Sequence, residues 1–296
     1  MAITYNNLYL DVRRALRLAG VEAAQLEARE LLCHVTHKSK EQFWLDLNYY
    51  VSSEQEREVR DLLRQRLEGT PVAYLLGEWS FCGLDLDVDS TVLIPRADTE
   101  VLAELAAERT KAAGERARML DLCAGTGCIG LAVATMAPNC RAVLADYAPD
   151  AVRICRQNIR RCGLLSSVTC FQVDAREAPP QQLWNFDVIA SNPPYIPSGE
   201  IETLDPSVRD YEPHLALDGG ADGLDFYRAI AHKWKSALRE DGWLLFEVGM
   251  GQAADVEELL RQEGFRSVRS YPDTRDILRV VEGQWCPNRQ NGEEKD

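Results

Sequence analysis

From residue 98 onward, strand-like apolar runs alternate with helical segments, and this alternation limits the fold more than any other feature of the chain. The predicted strands are Ala117–Leu122, Arg141–Ala145, Val168–Val173, Phe186–Ser191 and Trp243–Val248. The predicted helices are Thr99–Ala112, Cys128–Ala137, Asp150–Cys162, Phe226–Leu238 and Ala254–Gln262. This order predicts an α/β fold, a doubly wound sheet with helices on both faces. We expect Val268–Tyr271 and Ile277–Glu282 to add a final antiparallel pair.

The chain before residue 76 predicts helices only. Apolar residues recur at helical spacing in Glu22–Val35, and Gln42–Leu47 predicts a shorter helix. Ser53–Glu56 has the pattern of a capping box and begins another helix, which ends near Gly69. Because nothing in this small bundle carries chemistry, we expect it to hold a partner or to pack on the catalytic domain.

These patterns divide the chain into four segments. We expect a helical N-terminal substrate-docking domain at 1–73, a β-hairpin linker at 74–97, a catalytic domain at 98–287 and a disordered tail at 288–296. The linker is predicted from Phe81–Asp89, where apolar and polar residues alternate and Gly83 interrupts the alternation.

The chain is acidic, with a formal net charge of -14 that lies almost entirely on residues 76–296. An acidic surface repels phosphate backbones, so extensive nucleic-acid binding is disfavoured and a basic protein partner is expected. No apolar run approaches a membrane span, and the N-terminus lacks the regions of a signal peptide. We therefore expect a cytoplasmic protein that binds no membrane and no nucleic acid directly.

The nine cysteines form no Cys-x-x-Cys pair. Five of them lie in apolar stretches and are expected to be buried reduced thiols: Cys123, Cys128, Cys140, Cys155 and Cys170. Cys33, His34 and His37 superficially resemble a metal cluster, but the end of a helix explains them better. No metal site is predicted.

A glycine-rich loop follows the first predicted strand and begins a helix. Gly125, Gly127 and Gly130 have the spacing of a dinucleotide fingerprint, in which a ligand approaches the backbone at a helix N-terminus. Asp146 ends the next strand, where an acidic residue binds ribose hydroxyls. On these residues alone, a nicotinamide enzyme is a real alternative.

Two further carboxylates favour S-adenosylmethionine over a dinucleotide. Asp121 lies just before the loop, where it would face phosphate in a pyrophosphate site but would attract the ammonium of a methionine. Asp174 ends the third strand and brings another carboxylate to the same edge of the sheet, where an adenine amino group could be held. An acidic site suits a sulfonium cation with an ammonium group.

Asn192-Pro193-Pro194-Tyr195 follows the fourth strand and predicts a rigid turn at the edge where ligands meet open α/β sheets. The two prolines remove two backbone donors and fix two φ angles. The turn therefore presents carbonyl acceptors, one Asn amide and an aromatic face, which together can hold a planar amide or amino group.

With this loop and this turn in one domain, the chain resembles the class I S-adenosylmethionine-dependent N-methyltransferases, and within them the HemK-type peptide chain release factor glutamine methyltransferases. The resemblance covers nearly the whole chain. Besides the loop and the turn, it rests on the helical N-terminal region, Pro71–Gly77, Leu93–Glu100, Tyr211–Pro213 and Asp222–Arg228. The chain departs from the family at Ala97, at Cys123-Ala124 and at Ala175, which lacks the large side chain that some members place against the adenine.

The resemblance implies a Rossmann-like methyltransferase sheet and methylation of the N5 of the glutamine in the Gly-Gly-Gln motif of a release factor. It implies that the Asn192 side-chain oxygen and the Pro193 carbonyl accept the two amide hydrogens of that glutamine. Tyr195 would pack against the glutamine side chain and order the turn, and Pro194 is a further candidate substrate-binding residue. The candidate cofactor residues are Asp121, Cys123, Ala124, Gly125, Thr126, Gly127, Asp146, Asp174, Ala175 and Asn192.

Other functions remain open at this point. A glutamine methyltransferase of a ribosomal protein is the nearest alternative. An N6-adenine DNA methyltransferase would need a basic groove and a target-recognition region, and the sequence shows neither. A nicotinamide oxidoreductase gives the Pro-Pro turn no role, and a non-enzymatic binding module has no reason to keep every acid together with Asn192.

Overall fold

The computed structural model describes residues 3–287, so the predicted disordered tail at 288–296 lies outside the described residues. The helices are α1 Tyr5–Leu18, α2 Ala24–Thr36, α3 Lys40–Leu45, α4 Ser53–Leu67, α5 Val72–Leu76, α6 Glu100–Ala112, α7 Cys128–Met136, α8 Pro149–Arg161, α9 Pro206–Arg209, α10 Asp225–Lys233 and α11 Ala253–Gln262. The strands are β1 Glu78–Phe81, β2 Leu84–Asp87, β3 Arg118–Leu122, β4 Arg141–Asp146, β5 Val168–Gln172, β6 Phe186–Ser191, β7 Leu238–Glu247, β8 Phe265–Pro272 and β9 Leu278–Trp285.

The chain folds into two compact units. The first runs to Glu78 and includes Asp205–Tyr211, while the second comprises Trp79–Leu204 and the chain from Glu212 onward. None of the described helices is long and apolar enough to span a membrane.

The first unit is helical, as the sequence predicts. Leu8 and Leu16 of α1 and Leu31 of α2 are fully buried and form part of its core. The capping box that begins α4 is one residue earlier than predicted, because Ser52 accepts from the backbone N–H of Gln55 at 3.1 Å while the Gln55 side chain accepts from Ser52 at 3.2 Å. The interpretation of Cys33, His34 and His37 as a helix end is confirmed, since His37 is the left-handed C-cap of α2.

A two-stranded hairpin of β1 and β2 opens the second unit. Its turn is Cys82-Gly83, and both residues have positive φ angles, 46° and 76°. Turns of this kind match the twist of the strands they join. The short helix α5 runs across residue 74, where the sequence predicted the linker to begin.

The second unit is built on a seven-stranded sheet in the order β5-β4-β3-β6-β7-β9-β8. The first five of these strands pair in parallel, and β9 runs antiparallel to both β7 and β8. The doubly wound sheet and its final antiparallel pair are therefore confirmed. Strand order reverses between β3 and β6, which makes their carboxyl ends the expected position of a ligand crevice.

Alternate residues of β3 face opposite sides of the sheet. Met119 packs in the layer that contains α6, α7 and α8, whereas Leu120 and Leu122 pack in the layer of α10 and α11. Strand β7 begins at Leu238 rather than at the predicted Trp243. Its first part pairs with Phe186 across a register shift, so the exposed polar run that follows Leu238 still belongs to the strand.

Candidate active site

The glycine loop and the Asn192 turn meet at the point where strand order reverses. Leu122 of β3 and Ser191 of β6 are direct partners in the sheet, so Cys123 and Asn192 leave the sheet edge side by side. The Ser191 hydroxyl donates to the Leu122 carbonyl at 2.6 Å and ties the two strand ends together. Two segments that lie far apart in sequence thus become neighbours in one crevice.

A cavity lies above these strand ends, with about 970 Å³ of space, open solvent included, between the residues that line it. The lining includes most of the predicted cofactor residues, namely Cys123, Ala124, Gly125, Thr126, Asp146, Asp174, Ala175 and Asn192, and also Pro194 of the turn. Four predicted site residues are not among those that line it: Asp121, Gly127, Pro193 and Tyr195.

The loop glycines have different structural roles. A Cβ on Gly125 would meet no atom within 4 Å, so this residue leaves the backbone open to a ligand. A Cβ on Gly127 or Gly130 would lie 2.6 or 2.2 Å from the Leu144 side chain, so these two glycines let α7 approach β4. Cys123 adopts a left-handed φ of 63°, a conformation that favours glycine.

Asp146 supports the loop and faces the cavity at the same time. Its Oδ2 accepts from the Gly125 N–H at 2.8 Å, and its Oδ1 accepts from the Ala148 N–H at 2.9 Å. Burial raises the pKa of this carboxyl, and these backbone donors oppose the rise. A carboxylate at this strand end has lone pairs left for ribose hydroxyls.

Asp174 also lines the cavity, but its carboxylate already has a partner. Arg176 donates to it from Nε at 3.1 Å and from Nη2 at 2.9 Å, and the hydrogen bonds of Arg176 hold the Asp174 pKa below its usual value. Arg176 in turn lies over the ring of Phe226, another lining residue. An adenine amino group at Asp174 would have to share the carboxylate with Arg176.

Asp121 lies beneath the loop and is fully buried. Its Oδ2 accepts from the Gly130 N–H at 2.8 Å, while its Oδ1 is buried without a hydrogen-bond partner. Burial raises the Asp121 pKa to about 8. Its observed contact joins β3 to the first turn of α7.

The Asn192 turn is held from several sides. The Asn192 Nδ2 donates to the Thr99 hydroxyl at 3.4 Å, and the Gln252 Nε2 donates to the Tyr195 carbonyl at 2.9 Å. A Cβ on Gly223 would lie 2.3 Å from the Tyr195 carbonyl oxygen, so the segment around Gly223 packs directly on the turn. Sequence reasoning missed Thr99 and Gln252 as supports of the turn.

Sequence reasoning also missed two walls of the cavity. Part of the lining comes from residues 91–96 and from residues 213–216, in segments that carry no catalytic pattern. Glu212, which is buried, joins the two segments: it pairs with Arg96 and accepts from the Ile94 N–H at 3.3 Å. The available signal was the family resemblance, which includes Leu93–Glu100 and Tyr211–Pro213 but was not used to place these segments at the cavity.

Residues 3–287 contain no group of three or more His, Cys, Asp or Glu side chains that could hold a metal ion. All nine cysteines are free thiols.

The fold and the site define a class I S-adenosylmethionine-dependent methyltransferase, and S-adenosylmethionine is its cofactor. The residues present fit that molecule: Gly125 leaves an open backbone cradle, and carboxylates suit a ligand that carries an ammonium and a sulfonium. The hMettl16 catalytic domain, solved in complex with MAT2A 3′UTR hairpin 1, shares this fold with a TM-score of 0.59, at 14% identity over 87% of this chain and 92% of that one.

Comparison with known families identifies the particular group. Residues 7–77 match the PrmC N-terminal domain, and residues 81–207 match the methyltransferase small domain. The release factor glutamine methyltransferase of Geobacter sulfurreducens is 40% identical over 265 residues, which is 90% of this chain and 91% of that protein. The enzyme of the same name from Clostridium acetobutylicum is 35% identical over 255 residues, covering 86% and 89%. The chain belongs to the family of release factor glutamine methyltransferases.

Proposed function

We propose that this enzyme transfers the methyl group of S-adenosylmethionine to the N5 of the glutamine in the Gly-Gly-Gln motif of a translation release factor. The observation that carries the proposal is the pairing of Leu122 with Ser191, which sets the cofactor loop beside the Asn192 turn in one cavity. The names of the relatives point to the same substrate.

The cofactor supplies an electrophilic methyl group on a sulfonium. The chain supplies positioning, because a side-chain amide is a poor nucleophile whose lone pair is delocalised into its carbonyl. In the proposed arrangement the Asn192 Oδ1 and the Pro193 carbonyl accept the two N–H groups of the glutamine and fix its plane. Tyr195 packs against the glutamine. The proton leaves after transfer, when the nitrogen has become cationic and acidic.

Within this proposal, Asp146 holds the ribose hydroxyls and the loop from Cys123 to Gly127 carries the methionine portion. The Oδ1 of Asp121, which is buried without a partner, is the acceptor available to the ammonium once the loop adjusts around the ligand. Asp174 and Ala175 line the adenine end.

We assign the helical segment 1–73 to substrate docking, residues 74–97 to a linker and residues 98–287 to catalysis. Three exposed side chains on the helical unit support the docking role: Leu45, Tyr49 and Tyr50. The acidic net charge supports a protein partner and disfavours direct nucleic-acid binding. We place the enzyme in the cytoplasm, where translation takes place.

The test uses three separate reactions, each with the enzyme and labelled S-adenosylmethionine. One reaction contains release factor, one contains ribosomal protein and one contains DNA. Mass spectrometry of the release factor should show one added methyl group on the glutamine of the Gly-Gly-Gln motif. Label in the ribosomal protein or in DNA adenine, with none in the release factor, would overturn the proposal.

A further inference from the structure

Glu247 is a buried carboxyl group directly behind the Asn192 turn. It is the last residue of β7, and Phe246 before it pairs with Ser191 of β6, so Glu247 and Asn192 follow paired positions at the same sheet edge. Only 3% of Glu247 is exposed, and it is not among the residues that line the cavity. Any effect of Glu247 on a bound substrate is therefore indirect and passes through residues that line the cavity, of which Asn192 and Thr99 are its hydrogen-bonding neighbours.

The surroundings of Glu247 do not neutralise its charge. Its Oε2 is buried without a hydrogen-bond partner, and no basic group among residues 3–287 forms an ion pair with it. Arg279, whose charge acts on Glu247, forms ion pairs with Asp273 at 3.2 Å and with Asp98 at 3.5 Å. Burying a carboxyl group without an ion pair reduces the free energy of unfolding, so stability does not explain why Glu247 is there.

The chemistry of an amide supplies that reason. The side-chain amide of Asn has a donor edge, the NH₂ group, and an acceptor edge, the oxygen. It adopts the orientation in which each edge meets a suitable hydrogen-bond partner. Asn192 already donates its Nδ2 to Thr99, and a carboxylate on the same side can only accept. Both neighbours therefore draw the amino edge inward, and the Oδ1 edge is left to face the cavity.

We infer that Glu247 is a positioning residue that holds the Asn192 amide with its oxygen toward the substrate glutamine. This inference rests on the proposed function, since it gives that oxygen the task of accepting a substrate N–H. It assigns to Glu247 no contact with substrate or cofactor.

The inference predicts a dependence on pH with a definite sign. Burial raises the pKa of Glu247 to about 7, and Thr99, Arg279 and Asn192 oppose the rise. The charged or titratable groups that face it are Asp98 beside α6, Tyr195 in the turn, Tyr227 of α10, Cys128 of α7 and Arg279 of β9. The ionised carboxylate accepts from the amino edge, whereas the protonated acid donates and attracts the oxygen edge. Turnover should therefore be lost as the pH falls through about 7.

The kinetic test compares Glu247→Gln and Glu247→Leu with the wild-type enzyme on its substrate. The wild-type kcat should fall roughly eight-fold from pH 7.5 to 6, as the ionised fraction does for a pKa of about 7. Glu247→Gln keeps an acceptor of the same shape without a titratable group, so its kcat should be nearly constant over this range. Glu247→Leu should lower kcat at least roughly ten-fold with an unchanged KM for S-adenosylmethionine.

A double variant separates positioning from a structural role. If Glu247 acts through Asn192, Glu247→Leu should have no further effect on kcat in an Asn192→Ala background. A further loss of the same size there, or a Glu247→Gln profile that still falls like the wild type, would overturn the inference.

A measurement without substrate distinguishes this inference from the proposed function. In NMR spectra of the ligand-free enzyme, the side-chain NH₂ signals of Asn192 should shift with a midpoint near pH 7 and should lose that shift in Glu247→Gln. An Asn192 signal that ignores pH in the wild type contradicts the role of Glu247, whatever the substrate. Absence of methylation on release factor, with the NMR titration intact, contradicts only the proposed substrate.

Discussion

At the scale of single residues, Asp146 both supports the glycine loop and faces the cavity. It holds the loop through the Gly125 and Ala148 amides, and it presents a carboxylate to the cavity. Asp146→Ala should weaken the binding of S-adenosylmethionine by about 1.5–3 kcal/mol, because charge-assisted hydrogen bonds are lost. Titration calorimetry measures this directly. Asp150→Ala removes the same charge from an exposed position in the first turn of α8 and should leave the affinity unchanged.

Asp121 should make the folding stability of the ligand-free enzyme depend on pH. Its pKa rises from 3.8 to about 8 on folding because of burial, so between these values the folded chain keeps a proton that the unfolded chain releases. Its contribution to the free energy of unfolding therefore falls as the pH rises from about 4 to 8, by up to about 1.4 kcal/mol per pH unit.

Urea unfolding of the wild type and of Asp121→Asn at pH 5 to 8 checks this prediction. Relative to the variant, the wild type should lose stability steadily as the pH rises. A stability difference that is constant over the range would show that Asp121 does not hold a proton in the folded state.

Asp121 shows which part of the site the sequence could predict and which part it could not. The sequence placed it next to the loop, but strand alternation gives it the same face as Met119, which packs toward α7. Its observed partner is accordingly Gly130 in the first turn of that helix. The residues that lie behind the Asn192 turn could not be predicted, because each comes from a distant segment and has no local sequence pattern of its own. They are Thr99, Gln252 and Glu247.

At the scale of elements, the strands with continuous apolar runs were predictable because burial on both faces dictates their composition. β7 was partly missed, since its first residues are exposed and polar. The chain from 198 to 216 folds into short helical turns that have no apolar periodicity and depend on tertiary contacts. This is why one wall of the cavity could not be predicted.

The end of α3 and the connection to α4 carry three exposed large side chains, Leu45, Tyr49 and Tyr50, with exposed fractions of 82%, 65% and 68%. Replacing all three by Ser should lower kcat/KM on intact release factor about ten-fold, since exposed aromatic side chains are frequent anchors of protein interfaces. Turnover on a short Gly-Gly-Gln peptide should not change. Leu165→Ser, at 67% exposure in the second unit, is the matched control. Equal losses on protein and peptide would show that these three side chains serve folding only.

At the scale of the whole molecule, the net charge of -14 should govern encounter with the protein substrate. Association between an acidic enzyme and a basic segment is accelerated at low ionic strength and screened as salt is added. We expect kcat/KM on release factor to fall several-fold between 0.05 and 0.5 M salt, with kcat nearly constant. Stopped-flow association rates give the independent measurement. A rate that rises with salt would mean that like charges meet at the interface.

Gly219 and Gly223 pack closely against Tyr195, and this packing decides whether the turn loses its backbone entropy during folding or during substrate binding. The backbone of residues 192–195 is ordered when the polypeptide folds, and two prolines restrict it even in the unfolded chain. In the proposed arrangement an incoming glutamine therefore meets acceptors that are already in place, and it loses mainly its own freedom on binding. A larger residue at either position would loosen the turn, which would then have to become ordered each time a substrate binds. We expect this to appear as a less favourable activation entropy of turnover.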